Sequence, residues 1–578
     1  MRLLNRLNQY QRLWQVTAGE DQQVSVATLA ERCYCSERHM RTLLRQMQEA
    51  GWLRWEPHSG RGKRAQLQFL RAPDSLRQEL MEQALAQGRA QSALALAQLA
   101  PHDLRALLNP FLGGRWQNDT PTLRIPYYRP LEPLQPGFLP GRAEQHLAGQ
   151  IFAGLTRFVS DCRLPLGDMA HHWDISDDAL CWRFHLRPTL RWHNGDAVET
   201  SQLESRFRML LALPMLCALF ASVKSVEATH SHTLTFTLHR PDFWLAHRLA
   251  SYGSVLAHPQ LPQTGCGPFR LVAFSPELVR LESHEHYHLS HPLLKAVEYW
   301  ITPQLFEQDL GTSCRHPVQI AIGEPDELVH LQPVSDSVSL GFCYLTQRTG
   351  PNLSRQQARR LVQIIHQTAL LDTLPLDENL IKPSKALIPG WDMPRWPQQE
   401  DVPLPAKLTL IYHLPVELHT MAQQLKSCLA ELGCELTVLF YDAKTWEGCS
   451  ALAQADLVMG DRLIGDAPEY TLEQWLRCDP VWPNVLSAPH FAHLQTTLDS
   501  VQSLACETAR ANALQAFFSQ LMEEAVLTPL FNYHYRISAP PGVEGIRLNT
   551  RGWFDFTQAW LPPPRGEEAG RGNPQTLP

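Results

Sequence analysis

The chain has 578 residues, 44% of them hydrophobic and 19% charged, with a formal net charge of −7. This composition excludes a disordered or fibrous protein and leaves room for several packed domains. The charge is unevenly spread: residues 1–72 carry 12 Lys+Arg against 6 Asp+Glu, so a head of +6 precedes a remainder of −13, and any polyanion-binding surface belongs to the N-terminus.

Leu3, Leu4, Leu7, Tyr10, Leu13 and Trp14 recur at helical spacing and predict a first amphipathic helix. Ser25 is placed to cap a second, over Val26 to Arg32, and Ser36 to cap a third. In that third helix Met40, Leu43, Leu44 and Met47 form the stripe to be buried. Arg38, His39, Arg41, Thr42 and Arg45 are left on the opposite face. Gly51 suits the position just past the helix end. Trp52–Glu56 and Ala65–Leu70 read as two wing strands, joined by a glycine-rich tip carrying Arg61, Lys63 and Arg64.

This is the pattern of a winged helix-turn-helix, an α+β head that lays its third helix in the major groove of double-stranded DNA. The expected DNA-binding residues are Ser36, Arg38, His39, Arg41, Thr42, Arg45, Arg61, Lys63 and Arg64. Helical donors of this kind read bases, whereas the wing cations neutralise phosphate. The bland alternative is a solvated basic face with no target.

Residues 73–116 are Leu/Ala/Gln-rich and broken at Gly88 and Pro101, which predicts two or three short helices. They read as a helical connector, a packed spacer rather than a relay. From about Thr122 short β-rich runs alternate with helices: Leu123–Tyr128, Trp182–Leu186, Thr233–Leu238, Pro268–Phe274 and Val297–Thr302. Lys407–Tyr412, a helix over Val416–Leu432, and Cys434–Phe440 make a strand–helix–strand unit suited to a parallel crossover. The domain plan is a head at 1–72, a connector at 73–116, an α/β body at 117–564 and a Gly/Pro/Glu-rich disordered tail at 565–578.

Thirteen cysteines without framework spacing point to reduced thiols. The first residues lack an apolar core of signal-peptide type. The longest mostly apolar run, Met209–Val223, holds Pro214 and is too short to span a bilayer. A cytoplasmic protein with no membrane partner is expected. No Gly-x-Ser-x-Gly, His-Glu-x-x-His, phosphate loop or dinucleotide fingerprint occurs in context, so no catalytic residue, cofactor or enzyme activity is expected. His284, His286 and His288 would share one face of an extended strand, but one strand rarely supplies a full metal site, and no metal is assigned.

Several ordered pieces resemble the oligopeptide/dipeptide/nickel class of solute-binding proteins. They are Gln150-Ile151-Phe152-Ala153-Gly154-Leu155-Thr156, Leu166-Gly167-Asp168-Met169-Ala170, Trp182-Arg183-Phe184-His185-Leu186, Trp192-His193-Asn194-Gly195-Asp196 and Gly265-Cys266-Gly267-Pro268-Phe269. Joined to a winged head, the whole chain resembles the SgrR family of transcription regulators. The resemblance implies a multidomain protein with a two-lobed, periplasmic-binding-protein-like body of type II that senses a small solute. The solute is unidentified and the oligomeric state stays open. The alternative is a cytoplasmic sequestration protein that binds nucleic acid nonspecifically. Aromatic-lined clefts between lobes hold ligands in such bodies. The candidates are Tyr127, Tyr128, Arg129, Trp192, Asp466 and Tyr470, with Asp466 carried over from the stretch Gly460–Glu469.

Overall fold

A computed structural model of the chain describes residues 2–56, 64–117, 119–137, 141–159, 162–306, 338–368, 381–383, 386–388, 390–391, 401–413, 417–441, 452–465, 467–535, 543–546, 553 and 555–564. The head begins with α1 (Arg2–Val16), β1 (Gln22–Val24), α2 (Val26–Arg32) and α3 (Glu37–Glu49). It continues with β2 (Leu53–Glu56) and β3 (Ala65–Phe69). Ser25 and Ser36 cap α2 and α3, their hydroxyls accepting from the Thr28 and His39 amides at 3.1 and 3.2 Å. Met40, Leu43, Leu44 and Met47 are the buried residues of α3. Each contributes about 1.5–3 kcal/mol of transfer free energy. Gly51 takes φ +71° past the end of α3, as a helix-closing turn requires. In the head, one strand escaped the sequence reading: β1, three residues long, pairs with β3 to give a three-stranded sheet in the order β1-β3-β2.

The connector forms α4 (Pro73–Ala86), α5 (Ala90–Leu94) and α6 (Pro101–Leu108). It does not stand apart from the head. Leu7, Tyr10, Met40 and Leu53 share one core with Leu76, Met81, Leu94, Leu104 and Leu112. Arg77 of α4 is buried and donates to Asn8 Oδ1 at 2.8 Å and Gln11 Oε1 at 2.6 Å on α1. The Tyr10 hydroxyl sits 2.8 Å from the Trp52 carbonyl and 2.6 Å from that of Arg71.

That core also takes in Leu278, Trp300 and Leu305 from the body. They belong to a five-stranded sheet whose order is Phe269–Phe274, Leu278–Ser283, Ala296–Ile301, β5 (Thr120–Tyr127) and β4 (Gly113–Gln117). Ala296–Ile301 and β5 run parallel. Arg124 of β5 pairs with buried Glu298 at 3.0 Å and reaches the Phe111 carbonyl beyond α6 at 3.2 Å. The Trp300 indole donates to the same Glu298 at 2.9 Å, with the Arg124 guanidinium 5.5 Å from its ring centre. Head and body therefore meet through a continuous apolar core over a buried ion pair.

A four-stranded antiparallel sheet, Val223–His230, Thr233–Leu238, Cys181–Leu186 and Ala170–Ile175, forms a second unit with its own core. The third sheet has six strands: Ile381–Pro383, Leu527–Tyr535, Val338–Gln347, Leu457–Leu463, Lys407–Tyr412 and Glu435–Phe440. Lys407–Tyr412 and Glu435–Phe440 are parallel, joined by the helix Glu417–Glu431, whose Leu418, Met421, Ala422, Leu425 and Leu429 are buried. The predicted crossover is thus present. The described cysteines are free thiols. Among the described residues no helix is long and apolar enough to cross a membrane.

Candidate nucleic-acid interface and solute cleft

On α3 the stripe that packs inward leaves Arg38, His39, Arg41 and Arg45 exposed and Thr42 half-buried. Arg41 lies 2.5 Å from Glu37 and Arg45 3.8 Å from Glu49, both pairs on the open surface. Exposed pairs of this kind are worth little and exchange readily for phosphate. Thr42 Oγ1 donates to the Arg38 carbonyl at 3.1 Å, and Ser36 Oγ accepts the His39 amide at 3.2 Å. Ser36 therefore sets the start of the helix through its oxygen and keeps its O–H as a donor on the exposed surface. Arg64 is exposed at the foot of β3. Arg61 and Lys63 lie outside the described residues.

The solute candidates are dispersed. Tyr127 and Arg129 stand together at the carboxyl end of β5, the end of a parallel strand where α/β sheets place ligands. Both are already engaged. Arg129 makes a bidentate pair with buried Glu144 at 2.6 and 2.9 Å and lies over the rings of Tyr127 and Tyr128 at 5.8 and 5.7 Å. Burial alone would raise Glu144; the Arg129 guanidinium outweighs it and holds the carboxyl below its usual range. Tyr127 packs on Tyr299 and Trp553.

Trp192 is a correction: it is fully buried in the core of the four-stranded unit, its indole N–H bonded to Gln202 at 3.0 Å. A turn closed by Trp192 N to Asp196 O at 2.9 Å folds it inward, away from solute. Asp466 lies outside the described residues. The strand before the histidine run stops at Ser283, so His284, His286 and His288 are not on the extended strand whose one face they would share. His284 bonds the Gly267 carbonyl at 3.2 Å, His288 bonds Asp168 at 2.7 Å, and His286 is exposed. Among the described residues no group of three His, Cys, Asp or Glu could hold a metal.

Tyr470 leads to what the sequence hid. It is buried on the helix Pro468–Cys478 of the six-stranded unit and packs 5.4 Å from the ring of His247 and 6.4 Å from Trp244, both from the four-stranded unit. Beside it Arg248 is fully buried across the seam. Its guanidinium is bidentate on Glu473 at 3.0 and 3.0 Å and bonds Asp242 at 2.8 Å and Gln502 at 3.0 Å. Arg477 adds a second cation on Glu473 at 2.5 Å. Burial would raise Glu473, but Arg248 and Arg477 keep it ionised and low. Burial pushes the His247 imidazole down to about 3, with the Arg510 and Arg248 charges adding to the shift. The lobes thus meet through a desolvated cluster in which each buried carboxylate is paired with a cation. Partners 225 residues apart in sequence leave no local signal for it.

At the carboxyl ends of the parallel strands in the six-stranded sheet, Asp461 accepts from the Tyr533 hydroxyl at 2.8 Å. Arg462 pairs with Asp479 and lies 5.8 Å from the Trp475 ring centre. Asp461 and Arg462 lie toward the end of the strand Leu457–Leu463 and were not singled out in the sequence.

Residues 5–119 match the family model described as the N-terminal domain of sugar transport-related sRNA regulators. Residues 165–305 match the middle domain of bacterial extracellular solute-binding proteins, family 5. The HTH-type transcriptional regulator SgrR of Yersinia pestis (strain Pestoides F) is 30% identical over 572 residues, covering 96% of this chain and 98% of that protein. The chain belongs to the SgrR family. Within it, uncharacterized protein YbaE of Escherichia coli (strain K12) is 68% identical over 564 residues, 98% of this chain and 100% of YbaE. Two solved structures share the body's architecture. NikA from Brucella suis, in complex with Fe(III)-EDTA, matches with a TM-score of 0.62 at 16% identity, covering 76% of this chain and 100% of its own. DppA from Helicobacter pylori, in complex with the peptide STSA, gives 0.61 at 16%, covering 76% and 98%. This SgrR-family chain therefore carries a body of the type II periplasmic-binding-protein fold behind its N-terminal domain. SgrR is named a transcriptional regulator and DppA a periplasmic binding protein.

Proposed function

We propose that the chain is a DNA-binding transcription regulator that senses a small solute through its two-lobed body. One observation carries the reading: the exposed basic face of α3 sits on a head whose core continues into Leu278, Trp300 and Leu305 of the body. A change in the body's conformation then alters the head's packing, and binding at one site must alter affinity at the other. In this reading residues 1–116 act as one DNA-binding unit, 117–564 as the sensor, and 565–578 lie outside both. Arg38, His39, Arg41, Thr42 and Arg45 address the major groove, and Arg61, Lys63 and Arg64 the phosphates. The protein works in the cytoplasm on double-stranded DNA and has no catalytic role.

The solute site falls near the carboxyl ends of the parallel strands, around Tyr128 and Arg129 on one sheet and Asp461 and Arg462 on the other. The test is a titration of genomic DNA fragments with the full chain, with and without fractionated cell-extract metabolites. Coupling of about 1–3 kcal/mol is expected. A chain that selects specific fragments but ignores every metabolite pool is a regulator without a solute sensor. A chain that selects none is the sequestration protein.

A further inference from the structure

The turn between α2 and α3 contains a residue that the fold alone does not explain. The Cys35 amide bonds the Ala30 carbonyl at 2.9 Å and the Tyr34 amide bonds the Glu31 carbonyl at 3.1 Å. This is the paired closure of a helix end that places its penultimate residue in the left-handed region. Gly51 and Gly88 fill that slot after α3 and α4, at φ +71° and +70°. After α2 the slot holds Tyr34, at φ +51°. A bulky side chain is costly in this conformation, and such strain persists where the residue is used. Packing is not that use, because Tyr34 is 86% exposed.

Its one described ring contact is with Arg12 of α1, whose guanidinium lies 5.4 Å from the ring centre. Arg12 is itself exposed, and among the described residues no carboxylate pairs with it. The cation thus holds the ring against α1 while the phenol hydroxyl points to no protein partner among the described residues. Two residues on, Ser36 starts α3, whose first turn displays Arg38 and His39. When a recognition helix enters a major groove by its first residues, the turn before it lies over the flanking backbone. Tyrosine hydroxyls and arginines are common phosphate ligands.

We propose that Tyr34 and Arg12 together form a phosphate clamp on the DNA backbone beside the major-groove contacts, the phenol donating to a phosphodiester oxygen and the guanidinium neutralising it. The proposal rests on the DNA-binding reading above and adds a contact that orients α3. Because phosphate contacts ignore sequence, the operator is not needed for the test. The full chain is titrated with a fluorescent 30-base-pair duplex of arbitrary sequence between about 50 and 200 mM NaCl. Arg12→Ala should lower the slope of log affinity against log salt by about one unit. Tyr34→Phe should weaken binding about tenfold with the slope unchanged, since it removes a neutral donor. Tyr34→Gly relieves the turn, so it should bind DNA no better than Tyr34→Phe while melting no lower than wild type.

Wild-type affinity and slope in Arg12→Ala, or wild-type affinity in Tyr34→Phe or Tyr34→Gly, overturns the clamp. If Arg64→Ala weakens duplex binding in that same experiment, the DNA-binding reading stands without the clamp. If the wild-type chain shows no salt-dependent duplex binding, both fail together.

Discussion

Trp300→Ala probes the junction on which signalling would depend. The side chain is 1% exposed and, among the described residues, is one of three buried body residues in the head core, with Leu278 and Leu305. Truncation leaves a cavity between the body sheet and the head, takes one of two donors from Glu298 Oε2, which keeps Arg124 at 3.0 Å, and removes the ring beneath Arg124. Buried Trp→Ala changes cost about 3–5 kcal/mol. The body has its own sheets and cores, so the loss should fall on docking of the head rather than on global unfolding. Native-state hydrogen exchange reads this directly. Amides of α5 and α6 should exchange about 10²- to 10⁴-fold faster, at roughly 1.4 kcal/mol per decade, while the four-stranded unit stays protected. Equal protection of α5 and α6 in variant and wild type would refute a shared core. The same variant should bind DNA yet lose its response to solute.

The inter-lobe cluster gives a second expectation. Arg248→Met leaves buried Asp242 and Glu473 short of a cation and should destabilise the chain by about 3–5 kcal/mol in urea denaturation; a loss below about 1 kcal/mol would mean the seam is open in solution. Stability should also depend on pH. Burial pushes His193 and His247 down to about 3 and His284 to about 4, so below about pH 6.5 the unfolded chain takes up these protons first. Their contribution is present above pH 6.5 and is lost as pH falls toward 3–4, at up to about 1.4 kcal/mol per pH unit for each histidine. His193→Gln should flatten that slope, and an unchanged slope would contradict the assignment. Arg64→Ala should weaken binding to all duplexes alike and lower the salt slope by about one unit, whereas a loss at a single base position would show direct readout.

Local chemistry made the head legible in sequence. Ser25 and Ser36 cap where expected, and the stripe of α3 is buried residue for residue. Periodicity also placed the crossover from Lys407 to Phe440. Strand β1 escaped because three residues, two of them glutamines, give no alternation to read. Contacts between distant segments left no trace. Trp300 reads as a strand residue of the body until the fold lays it on the head, and Arg248 as an ordinary arginine until Glu473 meets it. Arg129 and Trp192 were chosen as solute contacts because aromatic and cationic residues line clefts. The first is already paired with Glu144, and a tight turn buries the second.

The central claim is sequence-specific DNA binding through α3. Genome-wide mapping of sites bound by the full chain, beside Arg41→Ala and Arg45→Ala, tests it most directly. Discrete sites are predicted, preferred over bulk DNA by roughly 10³-fold or more, with each substitution costing about 1–3 kcal/mol of that preference while the chain stays folded. Uniform occupancy by the wild-type chain, or unaltered sites in both variants, would contradict it.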